Sequence, residues 1–303
     1  MISRRAVLAS LAATAAAGLS PALALADWRR KYATLNFGVI SSENETDRIA
    51  RHTRLTTYLE RTLRASLRMH HATDYAGTIE ALKARKLEFA RFGPAAYAKA
   101  WLVTGGKVEP IAVETDKDGD ASYHSVLAVR VDSAYQKVED LKGKTLAWAD
   151  PNSTSGFIAP RYFLRESGID AERFFGRTGF SGSHENSVIA LLNGTFDAVV
   201  TWWTSDERSN VSRMEGKGMI PAGRVRYVWK SPKLPNSPWT IRTDLPDDLR
   251  RDVRAALLAL PTADAQAWKD LTDGKFKGLV EIAHKDYEPI VRMVEANLKE
   301  RRS

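Results

Sequence analysis

Along most of the chain, short apolar runs alternate with longer stretches in which apolar residues recur every three or four positions. That is the pattern of strands followed by helices. Residues 35–40 read as a buried strand, and residues 46–67 as a helix with Ile49, Leu55, Tyr58, Leu59 and Leu63 on one side. Residues 87–92 form a short strand, Gly93-Pro94 turns the chain, and residues 95–103 are an Ala-rich helix carrying Tyr97 and Trp101 four apart. A polar surface loop over residues 115–120 precedes an apolar strand at 125–129. Residues 144–148 are the next strand, which runs through Asp150-Pro151-Asn152-Ser153-Thr154-Ser155-Gly156 into a helix ending at Gly168. Ser183 caps a helix bearing Val188, Ile189, Leu191 and Leu192; buried strands follow at 196–201 and 225–229, and helices at 246–260 and 286–299.

This alternation predicts an α/β architecture. Two segments interrupt it, the polar loop and Ser231-Pro232-Lys233-Leu234-Pro235-Asn236-Ser237-Pro238 with its three prolines. Both read as crossings between lobes. The expected organisation is therefore a leader over residues 1–26, a first lobe built from residues 27–121 and 231–303, and a second lobe over 122–230. A cleft between two lobes is where small ligands usually bind.

The leader is an address and not a fold element. Arg4-Arg5 opens a charged region, residues 6–19 are rich in Ala and Leu, and Ala24-Leu25-Ala26 fits a small-x-small cleavage site. The paired arginines resemble a twin-arginine export signal, with a general secretory signal as the alternative. Cleavage near Ala26 would leave a protein in the periplasm. No later stretch is apolar enough to span a membrane, and no direct membrane anchor is expected.

Composition narrows the classes. With 303 residues, 44% hydrophobic and 27% charged, the chain is an ordinary globular one and not a disordered, collagenous or coiled-coil protein. Losing Arg4 and Arg5 lowers the formal charge from +8 to +6, spread without a strong basic run. Such a surface suits anionic ligands and gives no ground for a nucleic-acid partner. The absence of Cys excludes disulfides, thiol nucleophiles, thiolate metal sites and a lipid-modified cysteine anchor.

Three turns carry candidate chemistry. Asn152 to Gly156 sets three hydroxyls, Ser153, Thr154 and Ser155, at a strand-to-helix turn, where backbone N–H groups and hydroxyls suit a tetrahedral oxyanion; simple N-capping is the bland alternative. Pro160 lacks an amide where a helix beginning at Thr154 would need one, so that helix either kinks or starts its regular part later. His184 follows Ser183 in a first helical turn, where the helix dipole lowers its pKa; it reads as an anion donor or as an exposed first-turn histidine. Tyr75, in Asp74-Tyr75-Ala76-Gly77, opens a helix and is a third candidate, against packing of its ring.

An enzyme is the competing class. Ser153 or Ser155 with His184 and an acid would make a serine hydrolase, but no Gly-x-Ser-x-Gly elbow exists. Gly143-Lys144-Thr145 has Val138 where a phosphate-binding loop needs Gly, and His184-Glu185 lacks a second His at metalloprotease spacing. No cofactor and no metal are called for.

Together the runs Leu35-Asn36-Phe37-Gly38-Val39-Ile40-Ser41, Asp74 to Gly77, Phe92-Gly93, Tyr123-His124-Ser125-Val126-Leu127, Asp150 to Gly156, His184-Glu185 and Trp229-Lys230-Ser231-Pro232 resemble the periplasmic phosphonate-binding proteins of ABC transporters. The resemblance spans roughly residues 35–241. It implies a two-lobed type II periplasmic binding protein with a mixed sheet in each lobe, binding a phosphonate or related small phosphorus oxyanion (methylphosphonate, phosphite or aminoethylphosphonate) by cleft closure. It implies that Tyr75, Ser153, Thr154, Ser155 and His184 contact the phosphonate oxygens, and that the partner is an ABC permease in the inner membrane. A monomer is expected. Feeding a membrane sensor instead of a permease is the alternative role.

The chain departs from that family where acidic residues hold a ligand's ammonium. The matching segments are Thr201-Trp202-Trp203-Thr204-Ser205-Asp206 and Pro235-Asn236-Ser237-Pro238-Trp239, which leave Asp206 as the surviving acid, with Glu43 and Glu207 as the alternatives outside them. Phe92 keeps an aromatic at the end of its strand, behind an unexpected Arg91. Trp202, Trp203 and Trp239 could close an apolar pocket or face a methylated cation, with core packing as the alternative. This favours a ligand without a primary amine.

Overall fold

The computed structural model describes residues 27–300, so the expected export signal lies outside the described residues. The first lobe begins with β1 (Thr34–Val39), α1 (Glu45–Leu63), β2 (Ser66–His70), α2 (Tyr75–Lys83), β3 (Phe89–Arg91), α3 (Pro94–Val103) and β4 (Val108–Thr115). The helix expected over 46–67 stops earlier. Arg64 takes a left-handed conformation (φ 52°), and the chain then turns into β2, whose Leu67 alone is fully buried. Because the switch falls on an arginine and not on a glycine, the helical period runs unmarked into a strand of period two. Ile49 also leaves the buried face of α1 and is 40% exposed, whereas Leu55, Tyr58, Leu59 and Leu63 are buried as expected.

The second lobe comprises β5 (Ser122–Arg130), β6 (Thr145–Trp148), a wide turn at Thr154–Ile158, α4 (Ala159–Glu166), α5 (Ala171–Phe174), β7 (Arg177–Phe180), α6 (His184–Leu192), β8 (Ala198–Ser205), β9 (Arg208–Ser209), α7 (Asn210–Gly216), β10 (Val225–Lys230) and β11 (Leu234–Pro235). The chain then returns through β12 (Trp239–Arg242), α8 (Asp247–Ala263), α9 (Ala265–Thr272) and β13 (Gly278–Val280) to α10 (Glu288–Glu300). The first sheet has the order β13-β4-β12-β3-β1-β2, parallel among β3, β1 and β2 and antiparallel elsewhere. The second has the order β10-β5-β8-β6-β7, with β11 beside β5 and β9 beside β8. Both sheets are mixed, as expected of the two-lobed class.

Two strands meet the linkers directly. The amide of Asn236 donates to the carbonyl of Ala121 at 2.7 Å, so the outgoing and returning crossings are hydrogen-bonded to one another. The Tyr287 hydroxyl donates to the Asn236 carbonyl at 2.8 Å, and Lys233 pairs with Asp120. Behind the crossings, Ile290, Val291 and Val294 of α10 pack with Ala95 and Ala98 of α3 into the second-lobe core around Leu127, Trp148 and Leu164. The other large core, around Phe37, Leu55, Leu59, Phe89 and Leu257, lies on the first sheet. No helix among the described residues is long and apolar enough to cross a membrane.

Candidate functional site

A cavity of ≈ 440 Å³ opens between the two sheets. Its volume is that of a small-molecule site, about 300–1,000 Å³. The wide turn after β6 forms one wall. Pro160 has no N–H to give Gly156, and the Gly156 carbonyl instead accepts from the Ala149 amide at 2.9 Å. Ile158 and Ala159 donate back five residues, to the carbonyls of Ser153 and Thr154, which makes Thr154–Ile158 a single π-turn. Regular α-helix begins at Ala159 with Pro160 in its first turn, the second of the two outcomes expected for that proline.

This turn presents Ser153, Thr154 and Ser155, each no more than 3% exposed, to the cavity. The first amides of a helix have no acceptor within it and carry partial positive charge, so Thr154 and Ser155 add backbone donors to their hydroxyls. Ser153 Oγ accepts from the Gly156 amide at 3.0 Å and lies 3.1 Å from His184 Nε2. Thr154 Oγ1 accepts from the Ala95 amide at 2.8 Å, which ties the turn to the start of α3 across the cleft. The Ser155 carbonyl accepts from Ser125 Oγ at 2.7 Å.

His184 opens α6 behind its cap, Ser183, whose side chain accepts from the Asn186 amide at 3.1 Å. Burial, with Arg213 nearby, pushes the imidazole pKa down to about 3, so it stays neutral. Its Nδ1 lies 3.1 Å from Thr201 Oγ1. Both ring nitrogens are therefore occupied by hydroxyls, and the Ser153–His184 pair lacks the carboxylate that orients a hydrolase histidine. Tyr75 enters from the opposite lobe at the start of α2, held by Asp74, which accepts from the Gly77 amide at 2.7 Å. Burial and the Asp150 carboxylate raise the Tyr75 phenol well above its ordinary value, and its hydroxyl interacts with Ser153. Tyr123, pushed up to about 12 by burial, reaches the hydroxyls of Thr154 and Ser155.

The structure thus brings Tyr75, Ser153, Thr154, Ser155, His184 and Trp202 to one cavity. It does not bring Phe92, Trp203, Asp206 or Trp239 there. Trp202 and Trp203 are neighbours in β8, where successive side chains point to opposite faces, so one indole at most faces the cleft. Trp203 Nε1 donates to Asp206 at 3.2 Å, and Lys230 lies 4.3 Å over the ring; this is a surface cluster. Trp239 is fully buried against Phe89 in the first-sheet core, and Phe92 packs with Tyr75, Ile79 and Tyr97. No cage of three indoles forms.

Apart from Glu43 and Glu207 as candidate acids, sequence reasoning missed the charged lining. Glu43, in the loop after β1, is met by Arg51 at 3.1 Å, by Arg213 at 3.4 Å and by Lys217 at 3.7 Å. Burial would raise its pKa, yet Arg213 and Arg51 hold it below the usual carboxylate value. Glu185 of α6 accepts from the Asn44 amide at 2.9 Å and from Arg213 at 3.4 Å, and Lys217 pairs with Asp47 at 2.6 Å. These contacts run from first-lobe to second-lobe residues. Arg51 also pairs with Asp273 at 2.8 Å, and Arg91 with buried Glu114 at 2.8 Å. The only hint to the cations in the sequence is the four-residue spacing of Arg213 in α7 and Lys217 at its C-terminal cap, a spacing common on solvated faces.

Two buried histidines make stability depend on pH. His52, a buried residue of α1 at the cavity, is pushed down to about 4 by burial, and His184 to about 3. An unfolded His titrates near 6.5, so between about 6.5 and 4 the unfolded chain binds more protons and stability falls as pH falls. Urea unfolding of wild type and His52→Gln at pH 7 and pH 5 should show the shallower loss in the variant; equal losses would mean that His52 is not held neutral.

Comparison with known proteins follows the same outline. A family described as the periplasmic substrate-binding protein of phosphonate ABC transporters matches residues 37–287. The phosphonates-binding periplasmic protein of Escherichia coli (strain K12) is 30% identical over 243 residues, covering 79% of this chain and 70% of that one. The phosphate-import protein PhnD of Mycolicibacterium smegmatis is 28% identical over 275 residues, covering 85% and 84%. Among solved structures, a binding-protein component of an ABC phosphonate transporter from Pseudomonas aeruginosa superposes with TM-score 0.76 at 26% identity, covering 86% of this chain and 85% of the other.

Proposed function

The chain belongs to the family of periplasmic phosphonate-binding proteins of ABC transporters, and on that footing we propose that the Ser153–Ser155 turn is its oxyanion site. The protein is the solute-binding subunit of an ABC importer for a phosphonate or a related small phosphorus oxyanion. The observation that carries the assignment of residues is the concentration of hydroxyl and amide donors at one buried π-turn, closed over by Tyr75 from the other lobe. Oxygens of the ligand accept from the hydroxyls of Ser153, Thr154, Ser155 and Tyr75 and from the first amides of the turn.

His184 acts in this reading as a positioning residue. With Nε2–H donating to Ser153 Oγ, and the Gly156 amide donating to the same oxygen, both lone pairs are engaged and the Ser153 proton is left for the ligand. Nδ1 then accepts from Thr201. The pair serves binding and not acyl transfer, since a neutral imidazole pushed down to about 3 is a poor base at neutral pH.

Closure follows from differential affinity: a ligand that touches both lobes stabilises the closed arrangement over the open one. The loaded form is delivered to an inner-membrane permease, and the protein acts as a monomer released into the periplasm by cleavage near Ala26. A ligand's primary amine would find Glu43 and Asp273 already paired, with Arg51, Arg213 and Lys217 on Glu43 and Arg51 on Asp273, so the one lining acid left to it is the exposed Glu207. Asp206 belongs to the surface cluster with Trp203.

Calorimetric titration of the mature chain with phosphate, phosphite, methylphosphonate and aminoethylphosphonate tests this function, and binding of none of them would overturn it. In Thr154→Ala a charge-assisted hydrogen bond worth about 1.5–3 kcal/mol is lost, so affinity for the best of these ligands should fall roughly tenfold to a hundredfold. An unchanged dissociation constant would remove Thr154 from the site.

A further inference from the structure

Arg208 stands apart from the other arginines of the cavity, and unlike Lys275, which is exposed, it is largely withdrawn from water. Arg51, Arg91, Arg213 and Lys217 each hold a carboxylate there, whereas Arg208 has no ion pair and no side-chain hydrogen bond among the described residues. Its Nη1 is buried without a partner. The guanidinium comes from β9 of the second lobe and lies 3.3 Å over the ring of Phe276, which follows α9 of the first lobe. Stacking on an aromatic face leaves the N–H groups directed edgewise, in the plane that binds carboxylate or phosphoryl oxygens two at a time. Burial, with Arg91 nearby, lowers its pKa to about 10, which leaves it cationic at neutral pH. The acids within electrostatic range are committed elsewhere: Glu114 holds Arg91, Asp273 holds Arg51, and Asp116 accepts from the amides of Asp118 and Asp120.

A buried cation without a counter-ion is costly, and here the stack that buries it joins the two lobes. We propose that Arg208 is a second anion subsite, and that the ligand is a phosphonate bearing a second anionic group, a carboxylate or a further phosphoryl, at the end away from the Ser153–Ser155 turn. This rests on the oxyanion reading of that turn. The cavity of ≈ 440 Å³ leaves space for such a substituent beyond one tetrahedral head. The second anion replaces the water that Arg208 loses when Phe276 closes over it, so a ligand carrying both groups selects the closed arrangement more strongly than one carrying a methyl or an aminoethyl group.

The test is calorimetric titration of the mature chain and of Arg208→Gln with methylphosphonate, aminoethylphosphonate, phosphonoacetate and methylenebisphosphonate. In wild type, phosphonoacetate or methylenebisphosphonate should bind at least tenfold more tightly than methylphosphonate, and which of the two leads separates carboxylate from phosphoryl recognition. In Arg208→Gln, shown to be folded by circular dichroism, that ratio should fall to within twofold; Arg208→Lys, which keeps the charge and loses the fork, should give an intermediate ratio. Methylphosphonate or aminoethylphosphonate as the tightest wild-type ligand would overturn the proposal and leave the phosphorus-oxyanion function standing. So would an advantage that persists in Arg208→Gln. Binding of none of the four would overturn the proposal, and absence of phosphate and phosphite binding as well would overturn the function with it.

Discussion

Gly156→Ala is expected to lower affinity for any phosphorus oxyanion by roughly a hundredfold or more, because two charge-assisted hydrogen bonds worth about 1.5–3 kcal/mol each depend on the space that glycine leaves. A Cβ at that position would stand 2.5 Å from Ala149 Cβ, 2.7 Å from Ser153 Oγ and 3.0 Å from His184 Cε1. Ala149 Cβ cannot swing away, since it is fixed to the end of the β6 segment whose amide holds the Gly156 carbonyl. The turn must therefore move, and Ser153 must leave either the Gly156 amide or His184. Overpacking of this kind costs about 1–3 kcal/mol of stability, too little to unfold a typical domain. Calorimetry together with thermal unfolding checks both halves: a folded variant whose affinity stays within threefold of wild type would show that the π-turn is not the oxyanion site.

Arg213→Met is expected to have the second largest effect, acting on closure and not on the cradle. Arg213 meets Glu43 and Glu185, whose side chains are 6% and 3% exposed, and its guanidinium lies 5.4 Å from the Trp202 ring. Removing one partner of a buried ion pair costs about 3–5 kcal/mol when nothing replaces it. Glu43 retains Arg51 and Lys217, and Glu185 retains Asn44, so about 2–3 kcal/mol is the reasonable scale, or roughly thirtyfold to a hundredfold in affinity. The loss falls on the closed arrangement, because Glu43 belongs to the first lobe and Arg213 to the second. Stopped-flow measurement should show it chiefly as faster release, with Arg213→Lys recovering part of it. Release rates equal to wild type would mean that the ion network is incidental to closure.

How far the chain could be read from its residues depends on where the physical signal is local. The hydroxyl run Ser153-Thr154-Ser155, the cap Ser183 before His184 and the helix start at Tyr75 announce themselves, because capping and free amides are properties of a few adjacent residues. The position of Pro160 even marked the turn as irregular. β4 escaped notice since Glu109, Pro110 and Glu114 break its apolar run; Glu114 is buried there because Arg91, on a strand two places away, neutralises it. The Trp202-Trp203 pair was ambiguous for a related reason: the residues decide that the two indoles face opposite ways, and the partner strands decide which way each faces. Arg208 and Arg213 could not be singled out at all. Their surroundings come from Phe276 and Glu43, 68 and 170 residues away in sequence, and nothing in their own neighbourhood separates them from solvated arginines.

The place of β12 in the first sheet has a bearing on the order in which the protein acquires its structure. Although residues 239–242 come late in the chain, β12 lies between β3 and β4, with ladder contacts to both. Until that segment has been made, β3 and β4 have no common neighbour, and each presents an unpaired row of amides and carbonyls. The second sheet has no such gap, because its strands all lie between Ser122 and Pro235 and can pair as one uninterrupted length of chain. Contacts distant in sequence are the slow ones to form, so the second sheet is expected to pair before the first. The strands that carry the Ser153–Ser155 turn can thus form early, while their core is completed only when α3 and α10 pack on it.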